Sequence, residues 1–268
     1  MSPQRRIRWE IWLVLGLSLG RSAIYSVIEL IGRLTSGVPL SDQVATLNPV
    51  RSPRPYLDLA LQLYSIFFAL VPVALALYFL MLRPNSPPLR ETLGLDWGDG
   101  GKRIGRDWLW GFGLFAAVGV PGILFFVFGR MMGITVAVQA SALNAHWWTI
   151  PVLILSALQN GALEEVIVVG YLFRRTQDLG WSQVGQRLDL KFLFASALLR
   201  GSYHLYQGIG PFFGNFAMGL LFAWWFQSRF GRERIMPLII AHTLLDTVAF
   251  VGYQLAPESL LRLLGLSG

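Results

Sequence analysis

Apolar residues gather along the chain into seven stretches, at roughly 9–32, 56–82, 108–132, 148–172, 191–206, 211–228 and 235–254. A transmembrane helix needs about 20 mostly apolar residues, so stretches of this length predict membrane spans. The pattern therefore predicts an all-α fold, a polytopic transmembrane helical bundle of about seven spans. The fifth and sixth stretches are short and separated only by QGIGP, which predicts a tight turn or a broken helix beside a cavity. Polar stretches at 33–55 and 83–107, with Pro and Gly throughout, are loops. Within the second, LRETLGLDW predicts a short interfacial helix.

Composition agrees with a membrane protein. The chain has 268 residues, 54% of them hydrophobic and 14% charged, against about 25% charged in soluble domains. It has no cysteine, so disulfides and thiolate metal sites are excluded. A net charge of +7 could suggest nucleic acid, but the basic residues sit in short loops between apolar runs. Topology accounts for them better, and no nucleic-acid partner is expected. Arg5, Arg6 and Arg8 precede the first stretch, and Arg83, Arg90, Lys102, Arg103 and Arg106 lie between the second and third. That bias puts the N-terminus on the cytoplasmic side of a plasma membrane. The basic start followed by an apolar run resembles a signal peptide. With no small-residue cleavage site and more spans to follow, it is expected to stay as an uncleaved first span.

Some charges interrupt the apolar runs. Arg21 and Arg200 fall inside spans. Glu164 and Glu165 lie adjacent in the fourth, within an otherwise apolar Trp147–Phe173. A carboxylate in the bilayer interior is costly, so an intramembrane pair points to a functional site. Neighbours on a helix stand about 100° apart. One glutamate is therefore expected to face the site while the other meets a cation. A buried carboxylate suits a general base, with a structural ion pair as the alternative. His204, in RGSYHLYQG, shares a helix face with Arg200 by its spacing. Its alternative role is an interhelical hydrogen bond. His242 and Asp246 are four apart in HTLLD, where a carboxylate can set a histidine's tautomer or help bind a metal. At helical rise Glu164 and His242 lie roughly 12 and 10 Å from the inner ends of their spans, and His204 roughly 20 Å. A shared depth for all three requires a tilted fifth span. His146, beside two tryptophans, is an interfacial residue by position. Asn215 sits among Gly210, Gly214 and Gly219, where close helix packing is the simpler role.

EEVIVVGYLFRR, then LLRGSYHLYQG, then PLIIAHTLLD resemble the CAAX-protease and bacteriocin-processing intramembrane protease family, which includes the type II CAAX prenyl endopeptidases. Its marks are a glutamate pair, a histidine on a second span and His-x-x-x-Asn/Asp on a third. The resemblance implies a catalytic core at 147–254, preceded by N-terminal spans and loops at 1–146. It implies a catalytic cavity between spans four, five and seven, opening inward. It also implies hydrolysis of a peptide bond in a membrane-associated, CAAX-type protein or peptide. Glu164 would activate water, His204 would hold it, and His242 with Asp246 would stabilise the oxyanion. Glu165 belongs to the same set. A divalent metal such as Zn²⁺ on His204, His242 and Glu164 or Glu165 is the competing arrangement, because two His and one carboxylate make a known zinc pattern. The helical HExxH signature is absent, and a metal-free glutamate mechanism stays open.

Two positions depart from the family pattern. Where the family often has arginine four residues after the second glutamate, this chain has Val169, and where it often has phenylalanine four residues before the histidine, it has Arg200. Arg200 is expected to supply the displaced cation. Two other classes remain: a catalytically degenerate scaffold or bacteriocin-immunity protein, and an ion-coupled transporter. Transporters usually show repeated halves, and this chain shows none.

Overall fold

The computed structural model describes residues 1–83, 87–95, 101–181, 188–263 and 266. It is an all-α helical bundle. The helices are α1 (Pro3–Gly16), α2 (Leu19–Leu34), α3 (Pro55–Ala69), α4 (Val71–Met81), α5 (Leu89–Thr92), α6 (Lys102–Met131), α7 (Thr149–Glu164), α8 (Leu172–Asp178), α9 (Leu190–Ser202), α10 (Ile209–Gln227), α11 (Met236–Leu255) and α12 (Glu258–Leu263). A π-helical segment, Glu165–Tyr171, joins α7 to α8. Two three-residue parallel strands, β1 (Val44–Thr46) and β2 (Ala137–Gln139), pair in register.

Among the described residues, five helical segments are long and apolar enough to cross a membrane: Pro55–Met81, Lys102–Met131, Thr149–Asp178, Ile209–Gln227 and Met236–Leu255. The bent pair α1 and α2 makes a sixth. The expected seventh, at 191–206, is instead the 13-residue α9, which stops at Ser202. Its rise covers only about 20 Å. The first span breaks at Leu17–Ser18 with a 54° bend, where the Ser18 hydroxyl turns back to the Val14 carbonyl at 2.6 Å. Such back-bonding bends helices. The expected interfacial helix forms only over Leu89–Thr92, and Asp96 and Trp97 of LRETLGLDW lie outside the described residues.

Two ends of the bundle can be told apart by their bonds. At one end Glu10 of α1 meets Arg175 at 2.6 Å, and Arg83 meets Asp178 at 2.7 Å. At the other, β1 and β2 form a small cap. Thr135 bridges Gly208 there, and Ser141 donates to Gln254 at 2.6 Å. Gly208 takes φ +109° and abuts the Ile134 carbonyl, a position suited only to glycine.

Glycines set the closest helix approaches. A Cβ on Gly161 of α7 would lie 3.1 Å from the Ile239 carbonyl of α11, and one on Gly219 of α10 would lie 2.8 Å from the Ala197 Cα of α9. Small residues let backbones approach where lipid offers no hydrophobic drive. Gly161→Val and Gly219→Val are each expected to cost about 1–3 kcal/mol by overpacking. Gly16→Ala and Gly113→Ala, which meet nothing within 4 Å, should stay near wild type. Thermal melts in detergent measure both.

Candidate active site

Three elements meet at one point inside the bundle: the junction of α7 with the π segment, the end of α9, and the middle of α11. Glu164 closes α7, and Glu165 opens the wider π turn. Such turns recur at functional sites. The changed winding lets both carboxylates reach the same cation, although α-helical spacing would set them about 100° apart.

That cation is Arg200, which is 0% exposed. Its Nη2 donates to both oxygens of Glu165 at 2.7 and 2.8 Å, and its Nη1 donates to Glu164 Oε2 at 3.2 Å. Its guanidinium also lies over the Phe222 ring, 5.5 Å from the centroid. Val169, where the family often has its arginine, is buried in the π segment.

Glu165, also 0% exposed, reaches His242 Nδ1 with Oε1 at 2.6 Å. A carboxylate at that distance assigns the proton to Nδ1, which donates to it. The 3.5 Å approach of Arg200 Nη1 to the same nitrogen is too long to compete. Glu165 thereby orients the ring so that Nε2 faces Glu164 Oε2 and Asp246 Oδ1, each at 3.9 Å.

Glu164 is 8% exposed and lies on a cavity wall. His204, His242 and Asp246 line the same cavity, whose volume is about 1430 Å³. His204 does not share a helix face with Arg200, because α9 ends two residues earlier. Its Nδ1 sits 2.9 Å from the Arg200 carbonyl. A carbonyl only accepts, so Nδ1 carries the proton and Nε2 keeps its lone pair. The remaining walls are mostly apolar, from α2, α6, α10 and α11.

Two contributors went unassigned in the sequence. The Tyr203 hydroxyl donates to Glu164 Oε2 at 2.6 Å. Asn160, one helical turn before Glu164, donates to Asp246 Oδ2 at 2.8 Å. Their signals were adjacency to His204 and i, i+4 spacing from Glu164. His146 stacks on Trp148, and Asn215 turns back to the Pro211 carbonyl.

The cavity also reaches Thr46, Asn48 and Arg51 of the cap and Ala256 beyond α11. This is the end opposite the N-terminus. With the N-terminus inside, that end is the outer one.

Glu164, Glu165 and His242 offer ligand atoms within 4.8 Å of one another, a buried set that could hold a metal. His204, expected among the ligands, is not in that set. The guanidinium of Arg200 already binds both oxygens of Glu165 and one of Glu164. A divalent cation there would meet a buried positive charge at its own ligands. As folded, the set does not fit a metal.

Residues 146–248 match the family model described as type II CAAX prenyl endopeptidase Rce1-like. The match supports the CAAX-protease family assignment and covers all three motifs. The family is one of intramembrane endopeptidases acting on CAAX-type substrates. No curated protein and no solved structure matches the chain.

Removing Arg200 would leave two buried carboxylates facing each other. Arg200→Leu is expected to destabilise the protein by about 3–5 kcal/mol and to abolish peptide cleavage. Adding Val169→Arg, which returns a cation four residues after Glu165, should restore part of both. Melting temperature and cleavage of a quenched peptide, measured for the single and double variants, check this.

Proposed function

We propose that the chain is an intramembrane endopeptidase that hydrolyses a peptide bond of a membrane-associated, CAAX-type substrate with a glutamate-activated water. The observation that carries the reading is Glu164 on the cavity wall, held by Tyr203 and Arg200 and facing a cavity it shares with two histidines.

Glu164 acts as general base. His204 Nε2, with its lone pair free, accepts a hydrogen bond from the water and aims it. The water attacks the carbonyl carbon as Glu164 takes its proton. Charge then develops on the substrate oxygen and needs a donor. His242 supplies one from Nε2 as the imidazolium, whose positive charge balances the second glutamate of the Arg200 cluster. Asp246 supplies another as the carboxylic acid, its second oxygen held by Asn160. Glu164 finally passes its proton to the leaving amine. Every group in this sequence is a side chain of the chain itself, and Arg200 fills the place a metal would need.

Glu164→Gln is expected to lower kcat by at least about a hundredfold, the contribution of a positioned base. Asp246→Asn keeps a donor and should retain activity that Asp246→Ala loses. A chelator should change nothing. Cleavage of prenylated quenched peptides in liposomes measures all of these. Folded protein that cleaves none of them would instead favour the scaffold or immunity class.

The protein lies in a cell membrane with its N-terminus cytoplasmic and its cap outside. The natural chain has no cysteine, so single cysteines report topology cleanly. Asn48→Cys should react with an impermeant maleimide on intact cells, and Ser2→Cys only after lysis. The reverse labelling would turn the site toward the cytoplasm.

A further inference from the structure

The bent first span carries a charge that no neighbour among the described residues neutralises. Arg21 stands in the first turn of α2, just past the break. Along the helix it lies roughly 13 Å beyond Trp12 at 1.5 Å per residue. Trp9 and Trp12 are exposed, as interfacial tryptophans are. The 54° bend between the two residues makes the depth somewhat less than that path, but Arg21 still falls within the span, whose hydrocarbon layer is about 30 Å thick.

Other arginines of the bundle interior are paired: Arg175 with Glu10, Arg200 with the two glutamates, Arg234 with Asp107. Arg21 has no hydrogen-bond or ion-pair partner among the described residues. It is an exposed side chain that lines the same cavity as Glu164 and His204. An ionisable residue at such a depth marks a ligand path rather than a structural ornament.

Its distance from the site fits a short peptide. On the same helix, Ser26 donates to the Tyr203 carbonyl at 2.9 Å, and the Tyr203 hydroxyl holds Glu164. Arg21 lies about 7.5 Å of helical rise from Ser26. An extended peptide covers about 3.3 Å per residue. A substrate bond held at Glu164 thus brings a group a few residues further along within reach of Arg21. A guanidinium binds carboxylates through two parallel hydrogen bonds.

We propose that Arg21 binds the α-carboxylate at the C-terminus of the substrate. This rests on the endopeptidase reading for the identity of the ligand. The anion chemistry would equally suit a lipid phosphate, and the test separates the two.

Binding of a fluorescent farnesylated CAAX peptide, as the free acid and as its C-terminal amide, is measured by anisotropy. The protein carries Glu164→Gln to prevent turnover and sits in phosphatidylcholine vesicles with or without phosphatidylglycerol. The acid should bind about tenfold more tightly than the amide. Adding Arg21→Gln should erase that ratio, and Arg21→Lys should keep part of it. Equal binding of acid and amide, or a ratio that survives Arg21→Gln, overturns the proposal. A surviving ratio combined with loss of the response to phosphatidylglycerol assigns Arg21 to lipid phosphate instead. Cleavage by protein with native Glu164 is assayed separately. A Glu164→Gln variant that still cleaves sinks the endopeptidase mechanism while leaving the acid-to-amide ratio to judge Arg21.

Discussion

Arg200 is wholly enclosed, and a guanidinium stays ionised in such a place only where anions meet it on several sides. Glu165 meets it with both oxygens and Glu164 with one. The same Glu165 carboxylate reaches across to His242. One ion cluster therefore ties α9, the end of α7 and α11 to a common point, and each tie is also a positioning contact for a group on the cavity. Breaking any of them strands a charge in a medium that cannot solvate it. That constraint makes the geometry rigid where a reacting water would have to be placed within a few tenths of an ångström.

The glycine contacts serve the same end. Arg200 can touch Glu165 only if α9 and the π segment lie side by side, and α10 holds α9 from behind at Gly219. Gly161 lets α11 press against α7, which brings His242 alongside the glutamates. Polar residues then occupy one wall of a cavity whose other walls are largely apolar. Such a division suits a substrate that presents a peptide bond to one wall and hydrocarbon to the rest.

Much of the bundle was legible in the sequence because burial in lipid demands long apolar runs, and those runs need no alignment to be seen. The glutamate pair, the two histidines and Asp246 stood out for the same reason: polar residues are rare in such runs. The π turn at Glu165 was not legible, since its residues are as apolar as those of an ordinary helix. Two carboxylates that helical spacing sets apart thus share one cation. The end of α9 at Ser202 was also hidden, because no glycine or proline falls between it and Gly208 to mark a break. His204 consequently sits beyond the helix, held by the Arg200 carbonyl. Asn160 and Tyr203 were visible as polar residues, but their partners lie on other helices.

By itself the sequence determined a helical membrane protein, the residues too polar for their surroundings, and an arginine moved from one motif to another. Local composition and the solvation cost of charge decide those matters. Only the tertiary structure decided that the moved arginine meets both glutamates, that His242 is oriented by Glu165, and that Arg21 lines the cavity without a partner among the described residues. Those depend on how helices distant in sequence pack, and on where the backbone departs from regular winding, which no single span encodes.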